Sequence, residues 1–487
     1  MNKKNDLMCF SSISVSEPII SKKTASAEIT VQHLDGKKNK FTLILAYDQK
    51  IEDRHRPLLR LAFSIPLLNY GLFSKKFLLQ FPLSISDCSL LRDLNVVFSR
   101  DIYVNKILRR RADFILPEFF PDESDVQVND AEPKAAIEPK EIIRDSFFRD
   151  EMNQNSCGIL SSGGKDSLLT YGLLKEIGAD VHPFYVNESG GHWRTAYPAY
   201  QYHKEHELNT SKVWTNIDRF YLFMLDNLKF IRSDHRTVHA DTYAIQLCIF
   251  PFYIFALLPL FVDRGIGNLL LGSEFDDLRV KPTYLGIEHY FGVYDQQQDY
   301  DIRMNQWYEK RIPGLYQWSA LRHISGLVDE KILVSRYPDL AKQQRSCHSC
   351  HFENGEVVPC GTCSKCLGIL LYLLANKMDP RIMNYRQKDV DGFLKTVEKS
   401  CLRLDEDEKN QSFYLLREKG KFSEVKAVDH VERIHFYSET CNPDFVPKQF
   451  REKILKIFEQ YTNGYCKLDG ETWVPMEKKE ALSTVVF

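Results

Sequence analysis

A short apolar run, Cys157-Gly-Ile-Leu160, breaks into Ser161-Ser-Gly-Gly-Lys-Asp-Ser167, and an apolar stretch over residues 168–177 follows at once. A strand that ends in a glycine turn and feeds a helix is half of a strand–helix–strand unit. The other half is the apolar run 181–186, entered through Gly178-Ala-Asp180. Two strands joined by a helix must lie parallel, because the crossover returns the chain to the same edge of the sheet. Asn268-Leu-Leu-Leu-Gly272 reads as a further buried parallel strand. The expectation is an α/β core built on a doubly wound parallel sheet, with any ligand outside the carboxyl ends of the strands.

The loop itself carries chemistry. Gly163 and Gly164 let the backbone approach an anion with no Cβ in the way. The loop amides and the helix N-terminus then point at that anion. Ser162 and Ser167 add hydroxyl donors, Lys165 a full positive charge and Asp166 a candidate Mg²⁺ ligand. It is not a Walker A loop, since Lys165 is followed by Asp166 rather than Ser or Thr. Nor is Gly265-Ile-Gly267 a dinucleotide fingerprint, because it lacks the third glycine and precedes a strand.

The chain holds twelve cysteines, and five of them fall within residues 347–366. A window of that length should hold about half a cysteine at the mean density. The spacing is Cys347-x2-Cys350-x9-Cys360-x2-Cys363-x2-Cys366. Cys360, Cys363 and Cys366, with either Cys347 or Cys350, can close a tetrahedral thiolate site, the geometry Zn²⁺ prefers. Four thiolates leave no open position, so such a site is structural, and its binding energy, on the order of 10–16 kcal/mol, is coupled to folding. An iron–sulfur cluster is the competing reading, and His348 and His351 fit solvent-facing neighbours better than ligands.

Ser162-Gly-Gly-Lys-Asp-Ser167 resembles the PP-loop of the ATP pyrophosphatase superfamily. Ser346-Cys347 followed by Cys360-Gly-Thr-Cys363-Ser-Lys-Cys366 narrows the resemblance to the 7-cyano-7-deazaguanine synthase (QueC) family, over residues 142–377. The resemblance implies an ATP-dependent ligase. It would adenylate the carboxylate of 7-carboxy-7-deazaguanine, release pyrophosphate and AMP, and form an amide. In that family the cysteine segment follows a short helix, matched by residues 329–336, which favours Cys347 as the fourth zinc ligand. Ser161, Ser162, Gly163, Gly164, Lys165, Asp166 and Ser167 would bind the phosphates of ATP, with Lys165 stabilising charge and Asp166 holding Mg²⁺. Gly272 would end the strand before the second acidic group, Asp276 or Asp277, and Asp276 would join Lys165 and Asp166 in catalysis. Tyr185 and Val186 would border the adenine, and Zn²⁺ would brace the substrate side.

The chain also departs from that family. Its Tyr-Gly-Gln is replaced by Val186-Asn-Glu-Ser-Gly-Gly-His192-Trp193, and its Tyr-Pro-Asp-Cys by Leu278-Arg-Val-Lys-Pro282. QueC-like proteins of antiphage defence operons are similar in being embellished this way, which implies an acceptor that is ammonia or an amine of a protein from the same operon. Two other functions are compatible with the loop. A tRNA-thiolating PP-loop enzyme needs a basic docking surface, and 64 Lys and Arg against 66 Asp and Glu, a net charge of −2, argue against direct nucleic-acid binding. An inactive nucleotide-binding scaffold would have no need of an intact Lys165 and Asp166.

The rest of the chain divides into an N-terminal α+β domain (1–120), a linker (121–141), the PP-loop domain (142–377) and a mainly helical extension (378–487). The first contains a hairpin, 27–33 and 40–47, about Asp35-Gly36-Lys37-Lys38, then a helix over 57–63. The linker is acidic, with three prolines and no aromatic residue, a composition unable to bury enough surface to order itself. Helices are expected over 390–404 and 447–461. Residues 242–262 are uncharged and long enough to span a bilayer. Gln246, Pro251, Pro259 and the strand that follows favour a buried helix instead, and the N-terminus has no secretory signal. A cytoplasmic protein with no membrane contact is expected, its oligomeric state open. His203-Lys-Glu-His206 reads as an exposed charged helix, Arg109-Arg-Arg111 as a solvated face and Cys157 as core. His192 and Trp193, at a strand end, suit a ligand contact or plain packing equally.

Overall fold

A computed structural model describes residues 6–238, 243–247, 249–276, 282–397, 402, 404–417, 422 and 424–483. The chain opens with β1 (Phe10–Val15), β2 (Ile19–Ser21), β3 (Thr24–His33) and β4 (Lys38–Tyr47). Along β3 alternate residues Ala25, Ala27, Ile29 and Val31 are buried, the period of a strand with one face on a core. β3 and β4 pair antiparallel from Gln32–Lys38 to Thr24–Ala46, the hairpin expected from the sequence. Next come α1 (Arg56–Ser64), β5 (Lys76–Ser84) and α2 (Ile85–Ile102). Ser84 caps α2, its hydroxyl accepting from the Asp87 amide.

The segment expected to be an unordered linker is ordered in its second half. Residues Ala136–Ile143 form β6, which runs parallel to β5 from Lys76–Ala136 to Ser84–Ile143. It is an edge strand with few buried side chains, so its order comes from backbone pairing, which composition does not report. Pro139 is tolerated because an edge strand has one row of amides without a ladder to join. Ala131 is buried and Glu132 pairs with Arg100 at 2.6 Å.

The following half alternates strand and helix: β7 (Asn153–Leu160), α3 (Lys165–Glu176), β8 (Asp180–Asn187), α4 (Gly191–His206), β9 (Ser211–Thr215), α5 (Ile217–Asn227), α6 (Phe250–Arg264) and β10 (Ile266–Leu270). A two-strand ribbon, β11 (Thr283–Tyr284) and β12 (Ile287–Glu288), precedes α7 (Gln298–Arg311) and β13 (Tyr316–Trp318). Then come α8 (Gly326–Arg336), α9 (Pro338–Ala341), the ribbon β14 (His351–Glu353) and β15 (Glu356–Val358), and α10 (Ser364–Ala375). The carboxy-terminal part holds α11 (Gln387–Val397), α12 (Glu406–Leu416), β16 (Ile434–Phe436), α13 (Lys448–Phe458), β17 (Tyr465–Asp469), β18 (Thr472–Met476) and α14 (Lys478–Ser483).

One sheet runs through most of these elements in the order β13-β10-β7-β8-β9-β4-β3-β1-β5-β6, with β2 on β3. From β13 to β9 every neighbour is parallel. The loops after β7, β8, β9, β10 and β13 therefore leave from one edge. β9 meets β4 antiparallel, which joins the amino-terminal strands to the same sheet. The fold is α/β with a mostly parallel central sheet. Successive residues of β7 show how it is covered: Cys157 and Ile159 enter a core with α3, α8 and α10, whereas a Cβ on Gly158 would strike Phe261 of α6.

The second part of the apolar run expected to be a buried helix is α6, nearly all of it inaccessible, whereas residues 243–247 are not helical and Cys248 lies outside the described residues. Among the described residues no helix is long and apolar enough to cross a membrane. Thr242, where that run begins, and residues 398–401 and 403, at the end of the helix expected over 390–404, lie outside the described residues. One further expectation is corrected. The helix bearing His203 is not exposed throughout: His203 is fully buried, and its Nδ1 lies 2.7 Å from the Tyr185 hydroxyl. Burial pushes its pKa down to about 3. The carboxy-terminal region also contains a sheet, β16-β17-β18, whose first pairing joins residues about thirty positions apart and so leaves no local signal.

Candidate functional site

The glycine loop lies at the carboxyl edge of the parallel strands. The Ser161 amide donates to the Phe184 carbonyl at 2.8 Å, which ties the loop to β8. Gly163 takes φ +74°, a left-handed conformation, and a Cβ there would lie 3.0 Å from the Ala196 Cα of α4. α3 begins at Lys165 with Gly164 as its N-cap, so no side chain satisfies its first amides. These amides and the exposed Ser162 form the kind of surface that accepts an anion. Ser167 is buried, its hydroxyl donating to the Gly164 carbonyl at 3.2 Å. Gly272 closes the other wall: a Cβ there would sit 2.9 Å from Asp166.

Lys165 does not project into solvent. Its ammonium is buried among Asp166, Glu274 and Asp329, pairing closely with the first two and lying 3.7 Å from Asp329. Burial works against its charge, and the three carboxylates outweigh burial, holding the ammonium protonated well above its usual range. One oxygen from each of the three carboxylates falls within 4.8 Å of the others, so the group can also hold a cation. Asp329 is fully buried, and among the described residues no backbone or side-chain N–H donates to either of its oxygens. Burial drives its carboxyl well above the normal range despite Lys165. Burial likewise raises Glu274 to about 8, a push moderated by water at the exposed third of its side chain. Glu330, next to Asp329 and fully buried, is raised to about 7 and accepts from Gln344 at 3.0 Å.

The residues expected around this site separate. Lys165 and Asp166 pair with one another, and the carboxylates that join them are Glu274 and Asp329. Asp276 accepts from the Gln297 amide at 2.7 Å and is not one of the three, and Asp277 lies outside the described residues. Glu274 is two positions from the expected acid, within the same loop. Asp329 had a signal: Asp329-Glu330-Lys331 interrupts an otherwise apolar helical run from Leu327 to Val334. Tyr185 is entirely buried under Trp193 and Tyr200, whereas Val186 is partly exposed. Trp193 belongs to that packing, with Lys212 over its ring at 5.5 Å. Beyond it, at the ends of β8 and β9, the buried Glu188 and the partly buried Asp218 share the Tyr243 hydroxyl at 3.5 and 2.9 Å. Burial, then Asp218, pushes the Glu188 carboxyl well up.

The cysteines resolve into four and one. Cys347, Cys360, Cys363 and Cys366 bring their sulfurs within 4.8 Å of one another, and Cys350 stays outside that group. The Cys360–Cys366 and Cys363–Cys347 sulfurs are each 3.9 Å apart. A tetrahedral Zn²⁺ with bonds of about 2.3 Å sets its thiolates about 3.8 Å apart, so the cluster fits a metal such as zinc. Backbone amides of Ser349 and Cys360 point at the Cys347 sulfur at 3.2 and 3.3 Å, and that of Cys363 at the Cys360 sulfur at 3.4 Å. His351 is half exposed beside Glu353 at 3.4 Å, and neither it nor His348 belongs to the group.

The two clusters are mechanically joined. The Arg345 amide donates to the Gly163 carbonyl at 3.1 Å, and the Thr195 hydroxyl to the Cys347 carbonyl at 3.1 Å. Arg194 donates to the Cys350 carbonyl at 2.9 Å. The segment entering the cysteine cluster thus lies directly on the glycine loop. Set against known proteins, the chain matches no family model and no curated protein.

Proposed function

We propose that this chain is an ATP-dependent, QueC-like ligase whose parallel half is a PP-loop domain. It adenylates the carboxylate of 7-carboxy-7-deazaguanine and passes the activated acyl group to an amine. The observation that carries this reading is the uncapped start of α3 beside a buried Lys165 ringed by Asp166, Glu274 and Asp329. Fixed amides and a lysine suit a leaving pyrophosphate, because charge that develops there meets donors already in place. A carboxylate oxygen of the substrate attacks the α-phosphorus, the α–β bond breaks and pyrophosphate leaves through the loop. The amine nitrogen then attacks the acyl carbon, loses a proton and displaces AMP.

Asp166, Glu274 and Asp329 present hard oxygen donors, the set a Mg²⁺ ion prefers, and Mg²⁺ held there would neutralise phosphate charge. Lys165 keeps its proton throughout, so it acts as a fixed charge rather than as a base. The Cys347, Cys360, Cys363 and Cys366 site is a structural Zn²⁺ site that holds residues 345–347 against the loop. The acceptor is ammonia or a protein amine, and the setting is antiphage defence in the cytoplasm. Both follow from the resemblance to embellished QueC-like proteins.

The test incubates the protein with ATP, Mg²⁺ and 7-carboxy-7-deazaguanine. Pyrophosphate and AMP should appear only when the deazaguanine is present. Release that needs tRNA and a sulfur donor, or no release with any carboxylic acid, would overturn the reading. Intact mass of proteins encoded beside this one, gaining the deazaguanine acyl group, would distinguish a protein acceptor from ammonia.

A further inference from the structure

The carboxy-terminal region reaches into the cleft through α12. Asp405 caps that helix, its Oδ1 accepting from the amides of Asp407 and Glu408 at 2.8 and 3.2 Å. Glu408 is buried, and its Oε1 accepts from the amide of Gly326 at 2.7 Å. The Tyr372 hydroxyl donates to the other oxygen. Gly326 is the first residue of α8, the helix that carries Asp329. The hydroxyl of Ser325 accepts from the Val328 amide at 3.3 Å, so a capping side chain and Glu408 between them satisfy two of the amides that a helix start leaves open. The approach is close: a Cβ on residue 326 would lie 2.6 Å from the Glu274 Oε2 and 3.1 Å from the Tyr372 hydroxyl, so a side chain there would displace the Glu274 carboxylate. Glu274 therefore rests on the Cα whose amide Glu408 holds.

A second grip lies one residue earlier. Asp407, beside Glu408, is 3.0 Å from the His430 Nε2, and the His430 Nδ1 is 3.0 Å from the His435 Nε2. The His435 ring stacks on Phe275 with centroids 3.7 Å apart, and Trp473 meets the same ring edge-on at 5.3 Å. The Phe275 amide donates to the Ile324 carbonyl at 2.9 Å. Residues 405–473 thus hold both the start of α8 and the neighbour of Glu274.

We propose that the carboxy-terminal region is a positioning element of the cleft, and that Glu408 is its key residue. By fixing the first amide of α8, Glu408 sets the spacing of Glu274 and Asp329 about Lys165. It acts through the backbone of α8 and the Tyr372 hydroxyl. The proposal rests on the adenylating reading only for its activity readout. Without Glu408 a buried amide and a buried hydroxyl lose their acceptor, and the helix start is free to shift.

The experiment compares the full chain with E408A, E408Q and Y372F, each in the presence of Mg²⁺. Steady-state pyrophosphate release gives kcat and KM, and calorimetry gives the affinity for α,β-methylene-ATP. E408A should lower kcat about 30-fold or more with KM for the deazaguanine changed about threefold or less. E408Q keeps an acceptor oxygen for Gly326 and should recover at least about tenfold of that loss. Y372F should lower kcat about threefold to tenfold. Wild-type kcat in E408A would overturn the proposal, as would E408Q no better than E408A. Should E408A fail to fold, an unchanged kcat in Y372F is the outcome that sinks it. Should the wild type release no pyrophosphate with any acid, the adenylating reading fails by itself. The affinities then decide the positioning role: about tenfold weaker nucleotide binding in E408A supports it, and equal binding overturns it.

Discussion

Two clusters of like groups flank the glycine loop, and they solve the same problem in opposite ways. Around Lys165, three carboxylates are held together by a cation the chain itself supplies. At Cys347, Cys360, Cys363 and Cys366, the sulfurs are met by backbone amides and the Thr362 hydroxyl, and among the described residues no ammonium pairs with them. Hydrogen bonding among the neighbouring Cys347, Cys360 and Cys363 sulfurs holds the Cys366 thiol well above its usual range. A cluster with its own cation can exist empty, then exchange contacts when a charged ligand arrives. A cluster without one would gain from a metal that bridges its sulfurs. The first arrangement suits turnover and the second suits support.

That contrast is broken most directly at the metal. Cys363→Ser, or a strong chelator, should lower Tm by about 10 °C or more, because a structural thiolate site contributes many kcal/mol to folding. Elemental analysis of the native chain should find one zinc per molecule, and loss of pyrophosphate release should track loss of metal. A metal-free protein with unchanged Tm would make the cysteine cluster incidental. Lys165→Ala should do the reverse. Pyrophosphate release should fall about 10³-fold, while Tm stays within a few degrees because the stranded carboxyls can take up protons. Unfolding of the Lys165→Ala chain would erase the distinction between the two clusters.

How far this division could be read from the sequence depends on how local each feature is. The hairpin of β3 and β4, the β7-loop-α3 unit and the cysteine spacing are each written within about twenty residues, and each stands where it was expected. Asp329 lies more than 160 positions from Lys165 and reaches it only because α8 follows β13 beside β10 at the same sheet edge. Glu274 competes with two other acids in its loop, and only the turn taken after Gly272 decides which one faces inward. β6 was hidden for a related reason, since its partner β5 lies some sixty residues earlier. Glu408 was invisible altogether, because an acidic residue in a charged helix gives no hint that it will be buried against another helix's first amide.

The carboxylate cluster should also leave a mark on the pH dependence of stability. Burial raises Glu330 to about 7, against an ordinary value near 4.5. Between those values the folded chain keeps a proton that the unfolded chain has lost. The group's contribution is therefore complete below about pH 4.5 and disappears as pH rises through 7, a change of about 3 kcal/mol. Glu330→Gln keeps the contact from Gln344 and cannot ionise. Its denaturant midpoint should fall less than the wild type's between pH 5 and 8, and the two should differ most at pH 8. Parallel curves would mean that Glu330 is no part of the buried acidic group.

The smallest effect falls on the cysteine that stands outside the four. Cys350 is buried, and its carbonyl, rather than its sulfur, holds Arg194. A serine keeps that carbonyl and differs from the native side chain by one atom. Cys350→Ser should therefore keep one zinc per chain, lower Tm by no more than about 4 °C and leave pyrophosphate release within about twofold. Cys347→Ser, three residues earlier and equally buried, should release the metal. Two serines so close in sequence with opposite outcomes would show that the cluster is selected by sulfur position rather than by local cysteine density. Equal zinc loss from both variants would mean that Cys350 shares the site, and the four-and-one division would fall.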